Sequence, residues 1–452
     1  MIRRMGEYFS AWAKKYMVDP YLFAIMLTFL TFILGIIFTK SGPFDMLKDW
    51  NKGFWSLLTF SMQMCLILVT GYALATTKLV RAGIDWLADI PKSSGGAAAL
   101  VALIAVIAGF INWGLAVIIG ALMAREVAIR GYEKGIPMHY PILGAAGYLG
   151  LAVWHGGFSA SAPLLVATKG HFLEKELGII PVSDTLFTPL NIIVALCLLI
   201  FLPILAKMLS PRKPENMITV DKIIPNVDQM LKEEEEGFEE EKLDTFASKL
   251  EHSQIVNLII GIMGLIIVIW YFATNGFDLN LNIVNFTFLF VGILLHRRPI
   301  NYVRAITEGT RGCAGIILQF PFYSGIMGMM KFSGLIVVIA GWFVAISNQY
   351  TYPLFTYISA CIVNIFVPSG GGQWAVQGPV IVKAAAELGA SYPKAIMAMA
   401  YGDQWTNLFQ PFWALALLGL TGLKARHIMG YCMTIMFIGI IFFLLALLLL
   451  PV

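Results

Sequence analysis

Several runs of about 20 apolar residues dominate this chain, and each is long enough to cross the hydrocarbon core of a bilayer as a helix. Residues 20–39, 54–77, 186–209, 254–274, 277–295, 312–330 and 428–450 are of this kind. Hydrocarbon offers no partner to an open peptide group, so a spanning segment must close its own backbone hydrogen bonds. Composition agrees, since 58% of the 452 residues are hydrophobic and only 13% are charged. A soluble domain carries about 25% charged residues. The sequence therefore predicts an all-α polytopic membrane protein.

The remaining apolar stretches are irregular. Residues 140–168 and 394–420 have apolar ends and polar or glycine-rich centres, as broken helices would. Residues 97–124 and 352–385 are too long for one span and carry helix breakers near the middle, as expected of hairpins that enter and leave on one side. The first 19 residues, basic and aromatic, predict an interfacial helix or a solvated tail, not a signal peptide. Placing the N-terminus in the cytoplasm puts the basic loops 78–96, 125–139 and 207–253 on that side, together with 296–304 and 423–426. The acidic run at 232–242 falls in a hydrophilic linker, 210–253, read as a cytoplasmic tether between two membrane halves.

A shift of 256 positions lays the halves over one another, matching Pro43 with Pro299, Gln63 with Gln319, Phe110 with Phe366 and Gly114 with Gly370. Span 20–39 falls on 277–295 and hairpin 97–124 on 352–385. The extra span 254–274 reverses parity, so the repeats 20–209 and 275–452 are expected to be inverted.

Four breaks then occupy matching places: "GFINWG" (109–114), "WHGGFSASAP" (154–163), "VPSGGGQWAVQGP" (367–379) and "YGDQWTNLFQP" (401–411). Broken backbone at membrane depth survives only inside protein or around a wet cavity, and paired interruptions point to a transporter's binding site. Helix N-termini opened there attract anions. Gly370, Gly371 and Gly372 would let a ligand approach the backbone, with Ser369, Gln373 and Gln377 as donors. Asn112, Trp113 and Gly114 form the other tip. Gly156 and Gly157 open the first break, where Ser159 and Ser161 offer hydroxyls. Thr406 and Asn407 hold the matching place, and Trp113, Trp374 and Trp405 could wall a small apolar pocket or simply pack.

Two ionisable residues stand in these breaks. His155 could meet a carboxylate or titrate, or it could be a neutral imidazole tying a helix break together. Asp403 could hold Na⁺ or carry a proton, or it could cap an unwound helix. No Lys or Arg lies in the four breaks, which suits a singly charged anion better than a dicarboxylate. The five cysteines lack metal-ligand spacing and read as packing residues. No nucleotide-binding loop or hydrolase motif is present, and no basic, aromatic-interleaved surface suggests nucleic acid. The chain is therefore expected to be no enzyme and to need no cofactor beyond a coupling ion, Na⁺ or H⁺.

The motifs "VPSGGGQWAVQGP", "INWGLAVIIGALMARE", "WHGGFSASAPLL" and "GDQWTNLFQPFWAL" closely resemble the bacterial short-chain fatty acid transporter family, over nearly the whole chain from about residue 5. That family is similar to the wider ion transporter superfamily of inverted-repeat secondary carriers. The resemblance implies an inner-membrane carrier of short monocarboxylates such as butyrate or acetoacetate. It also implies two re-entrant helical hairpins, two unwound transmembrane helices, a homodimer, and an elevator mechanism in which the moving unit would work against a scaffold built from 20–39, 54–77, 186–209 and their counterparts. It places hairpin tips at Asn112–Gly114 and Ser369–Gln373, and unwound segments at His155–Ser161 and Asp403–Asn407. Several sodium-coupled relatives of the superfamily carry Ser-Asn-Thr at each tip, whereas here the tips read Ile-Asn-Trp and Pro-Ser-Gly, so the coupling ion stays open. The alternatives are a dicarboxylate or amino-acid carrier of the same fold, and a small-anion channel.

Overall fold

A computed structural model describes the chain except residues 1, 17, 168, 172, 226, 228–244, 277–280 and 369. Ser369 and the acidic run 232–242 therefore lie outside the described residues. Among the described residues the regular structure is helical throughout, with no strand. In chain order the first half comprises α1 (Ile2–Tyr16), α2 (Pro20–Phe38), α3 (Pro43–Phe54), α4 (Leu58–Ala75) and α5 (Lys78–Ala88). It continues with α6 (Ser94–Ile111), α7 (Trp113–Glu133), α8 (Tyr140–Tyr148), α9 (Ser161–Val166) and α10 (Pro189–Leu209). Helix α11 (Gln254–Asn275) connects the halves. The second half comprises α12 (Leu281–His296), α13 (Pro299–Thr310), α14 (Ala314–Phe332), α15 (Leu335–Ala345) and α16 (Tyr352–Phe366). It ends with α17 (Gly370–Leu388), α18 (Tyr392–Thr406), α19 (Leu415–Thr421) and α20 (Ala425–Leu449).

Among the described residues, 7 helical stretches are long and apolar enough to cross a membrane, which makes this a multi-pass membrane protein. Local chemistry sets their starts. Proline opens α2, α3, α10 and α13, where its missing N–H is no loss and its fixed φ suits the first turn. The two halves repeat this punctuation. Pro43 and Pro299 each open a helix of 12 residues, α5 and α15 each have 11 residues, and Tyr-Pro opens both α8 and α18.

Packing exchanges the halves. Helix α4 lies against α12 and α13, while α14 lies against α2 and α3, so each copy buries its partner's outer helices. At the α3–α14 crossing, a Cβ on Gly53 would come within 2.5 Å of the Gly328 Cα. Ser324 Oγ there meets Ser56 Oγ at 2.8 Å and accepts from Leu57 N–H at 3.2 Å. The second group is built around α6, α7 and α8 and their counterparts α16, α17 and α18. Gly120 and Gly147 let α7 and α8 touch backbone to backbone, since a Cβ on either would strike the other's carbonyl. Small residues are the means by which helices approach closely in membranes.

The structure revises some boundaries. The first hairpin spans 94–133, not 97–124, with Asn112 alone between its helices, and the second runs from Tyr352 to Leu388. At their C-terminal ends both continue past their apolar runs because the next residues include good helix formers, Arg125 and Glu126 in the first and Ala386, Glu387 and Leu388 in the second. Helix α10, expected to pack with 20–39 and 54–77, lies instead along α6 and against α20. Ser94 Oγ and Ser210 Oγ meet at 2.8 Å at that junction. The linker's first part is also anchored: Ile218 N–H donates to His139 Nδ1 at 2.9 Å, Tyr140 N–H donates to Ile218 O at 2.8 Å, and Val220 is buried. Helix α1 packs along α20, with Phe9 stacked on Phe437.

Candidate functional site

Each hairpin tip meets the broken helix of a copy, and the two breaks meet each other. In the first half, Asn112 caps α7 by accepting from Gly114 and Leu115 N–H at 2.9 and 3.1 Å. Trp113 N–H donates to Ser159 Oγ at 3.1 Å, and Phe158 N–H donates to Phe110 O at 2.8 Å. Gly157 permits that approach, because a Cβ there would run into the Phe110 backbone. The Trp113 ring lies edge-on to Trp413, 5.0 Å between centroids, so this tip also touches the second break.

The second tip crosses to the first break. A Cβ on Gly370 would come within 2.6 Å of Trp154 Cη2, 2.7 Å of His155 Cε1 and 3.2 Å of Ser161 Oγ. One residue further, a Cβ on Gly371 would have Ser161 Oγ and Cβ as its nearest neighbours, at 3.9 and 4.0 Å. Gly371, Gly372 and Ser161 are half-buried, whereas Gly370 is buried. The first turn of a helix has N–H groups without intrahelical acceptors and the positive end of the dipole. Here that turn faces a serine hydroxyl across a narrow gap, in surroundings without a lysine or arginine in the breaks.

His155 and Asp403, separate candidates in the sequence, are bonded to one another. His155 Nδ1 lies 2.8 Å from Asp403 Oδ2, and the side chains are 0% and 1% exposed. Ala162 N–H donates to His155 Nε2 at 3.1 Å, and His155 N–H donates to Gln404 Oε1 at 2.9 Å. Since Nε2 accepts, the ring hydrogen sits on Nδ1 and points at the carboxylate. Trp154 stacks on the imidazole, with centroids 4.2 Å apart.

Two amides that sequence reasoning missed hold these breaks in place. Asn364 Nδ2, on α16, donates to Asp403 O at 2.7 Å and Asn407 Oδ1 at 2.9 Å, and lies 3.0 Å from Thr406 Oγ1. Asn191 Nδ2, on α10, donates to Gly156 O and Leu186 O, while its Oδ1 accepts from Tyr401 Oη at 3.0 Å. The available signal was an uncompensated amide in an apolar run. Asp403 Oδ1, Asn364 Oδ1, Asn407 Nδ2 and Gln373 Oε1 are buried and unpartnered among the described residues.

Other candidates face away from this gap. Gln373 donates to Ala360 O and Gln377 Oε1, and Gln377 donates to Ser359 Oγ, so both fasten α17 to α16. Trp374 is fully buried beneath Gly378. Trp405 is fully buried too, donating to Met436 O at 3.0 Å and packing on Phe443 and Gly439 of α20. Thr406 donates back to Gly402 O.

Similarity to known proteins supplies the family. The model of the family described as short chain fatty acid transporter matches residues 1–450. A protein of Escherichia coli (strain K12), provisionally named a short-chain fatty acid transporter, is 42% identical over 445 residues, covering 98% of both chains. One of Haemophilus influenzae with the same provisional name is 44% identical over 444 residues, covering 96% of both. The crystal structure of the Alcanivorax borkumensis YdaH transporter, described as having an unusual topology, aligns with a TM-score of 0.45 and 16% identity over 96% of this chain and 97% of that one. With residues 1–450 matched by the family model and two relatives above 40% identity over 96% or more of its length, the chain belongs to the short-chain fatty acid transporter family.

Proposed function

We propose that the protein is a secondary transporter of short-chain monocarboxylates, such as butyrate or acetoacetate, in the bacterial inner membrane. The observation that carries this reading is the meeting of the first turn of α17, at Gly370–Gly371, with Ser161 and His155 of the other copy. A single carboxylate would take N–H donors from the turn and a hydroxyl from Ser161, without a fixed cation to bind a second negative charge. The half-buried Trp113, beside Trp413, would line the path of a short alkyl chain.

In this reading the repeats are inverted, with the N-terminus cytoplasmic, and α6–α7 and α16–α17 are re-entrant hairpins. The group holding the hairpins, with α10 and α20, moves as an elevator against the frame of α2–α4 and α12–α14, in a homodimer. Transport is coupled to H⁺ or Na⁺, and His155 and Asp403 are the candidates for that role. The test is uptake of radiolabelled butyrate and acetoacetate into proteoliposomes, corrected for protein-free vesicles, with pH and Na⁺ gradients varied separately. Uptake of neither acid under any gradient refutes the substrate class. Displacement of butyrate by C4-dicarboxylates, or single-channel currents without counterflow, refutes the monocarboxylate carrier.

A further inference from the structure

We infer that the coupling ion is a proton, that it is seated on Oδ1 of Asp403, and that His155 positions this carboxylate without carrying the proton. The inference rests on the transporter reading above and narrows its coupling step.

The imidazole is occupied at both nitrogens. Ala162 N–H points at Nε2 from 3.1 Å, so Nε2 presents a lone pair, and Nδ1–H is spent on Asp403 Oδ2 at 2.8 Å. A second proton on the ring would set Nε2–H against Ala162 N–H. That amide lies in the first turn of α9, so a proton at Nε2 would break a contact that shapes this break. Asp403 differs. Its Oδ2 is taken, but Oδ1 has no partner among the described residues, and the side chain is 1% exposed. A buried carboxylate with one neutral hydrogen bond is a poorly compensated charge. A proton on Oδ1 removes the charge and leaves the His155 bond intact.

The surroundings favour this over a metal cation. Titratable groups packed against this part of α18 are His155 from the first break, Tyr357 and Cys361 from α16, Tyr148 from α8 and Cys432 beside it on α20. Tyr401 stands on α18 itself. The first break, α8, α9 and α16 carry no lysine or arginine. On α17, Lys383 and Glu387 are exposed and face each other, and Lys394 at the start of α18 donates to Leu450 O. Arg426 and His427 lie in the first turn of α20. No cation from these elements is placed to neutralise the carboxylate. A bound metal ion needs several oxygen ligands, and of the buried unpartnered oxygens Asp403 Oδ1, Asn364 Oδ1 and Gln373 Oε1 among the described residues, the first alone belongs to a carboxylate. Asn407 offers its Nδ2, a donor, and Thr406 Oγ1 is already engaged with Gly402 and Asn364. One proton moving with one monocarboxylate anion carries no net charge. Accumulation should then follow the pH gradient and ignore the membrane potential.

Two measurements on the full-length purified protein test this. Infrared difference spectra between acidic and alkaline pH should show a buried carboxylic-acid carbonyl band that is lost in Asp403→Asn and retained in His155→Asn, whose amide can still donate to Oδ2. This arm does not depend on transport, and a band unaffected by Asp403→Asn overturns the inference even if no acid is transported. In liposomes, acetoacetate accumulation above protein-free vesicles should respond to a pH gradient and be unmoved by a potassium diffusion potential. Asp403→Asn should lose gradient-driven accumulation yet retain counterflow, and His155→Asn should keep the pH dependence at a lower rate. Accumulation driven by Na⁺ alone, or by the pH gradient in Asp403→Asn, overturns the proton assignment. Loss of pH dependence in His155→Asn, with the Asp403 band intact, overturns the positioning role. Failure of wild-type uptake sinks the transporter reading alone.

Discussion

Gly370 and Gly371 are adjacent in the first turn of α17, and the packing around them predicts opposite outcomes for one added methyl group. At Gly370 the new Cβ meets ring atoms of Trp154 and His155 at 2.6 and 2.7 Å. Neither ring has room to yield, because the two are stacked and His155 is bonded on both nitrogens. Overpacking of this kind costs about 1–3 kcal/mol, which lowers the population of the closed tip about five- to 160-fold. At Gly371 the methyl meets only Ser161, at 3.9 and 4.0 Å, which is ordinary contact. Gly370→Ala should therefore depress initial uptake by that order in proteoliposomes at matched reconstitution, while Gly371→Ala stays close to wild type. A bulkier Gly371→Val would fill the gap itself and block transport. Equal activities for the two alanine variants would refute the closed packing of this tip on the first break.

Asn364→Leu should lower the thermal unfolding midpoint in detergent, because it strips donors from Asp403 O and Asn407 Oδ1 at about 1–3 kcal/mol for each buried group; an unchanged midpoint would contradict that clasp. Trp405→Phe should cost about 1 kcal/mol for its lost bond to Met436 O and leave the chain-length preference in uptake competition unaltered, whereas an altered preference would make Trp405 a pocket wall. The Lys134 ammonium bonded to Asp89 holds that carboxyl below its ordinary value of 3.8. That part of the tie between α5 and α7 is thus present above that value and lost as pH falls through the lowered one, so the protection of α5 amides relative to their intrinsic exchange rates should fall on acidification in the wild type and fall less in Asp89→Asn.

What the sequence revealed follows from the range of the forces involved. Spans such as α2, α11 and α20 were legible because a bilayer demands a continuous apolar run, and the breaks because Gly and Pro act locally. Helices α3, α5, α13 and α15 escaped notice: at 11 or 12 residues they fall short of a span, and α3, α5 and α13 mix polar with apolar side chains. The partnership of His155 with Asp403 joins residues 248 positions apart, which no local pattern encodes. Gln373 and Gln377 stood beside a glycine-rich tip, yet their side chains lie on the face of α17 that packs on α16. Residue type alone does not give that rotation.

The exchange of partners between the copies also makes the proposed motion testable by cross-linking. Helix α10 was expected within the frame, but its contacts with α6 and α20 put it on the hairpin side. A bond between α10 and α6 should then ride with the moving group, whereas one between α4 and α7 should join it to the frame. Both bonds can be placed from the geometry. Ser94 Oγ and Ser210 Oγ are 2.8 Å apart, and a Cβ on Gly71 would lie 3.5 Å from the Ile118 Cβ, at the near end of the separations seen in disulfides. In a background lacking Cys65, Cys197, Cys313, Cys361 and Cys432, oxidation of Ser94→Cys with Ser210→Cys should leave uptake intact. Oxidation of Gly71→Cys with Ile118→Cys should abolish it, and reduction should restore it. Full uptake with the second bond closed would mean that α7 does not move against α4. Transport would then have to come from movement of the hairpin tips alone.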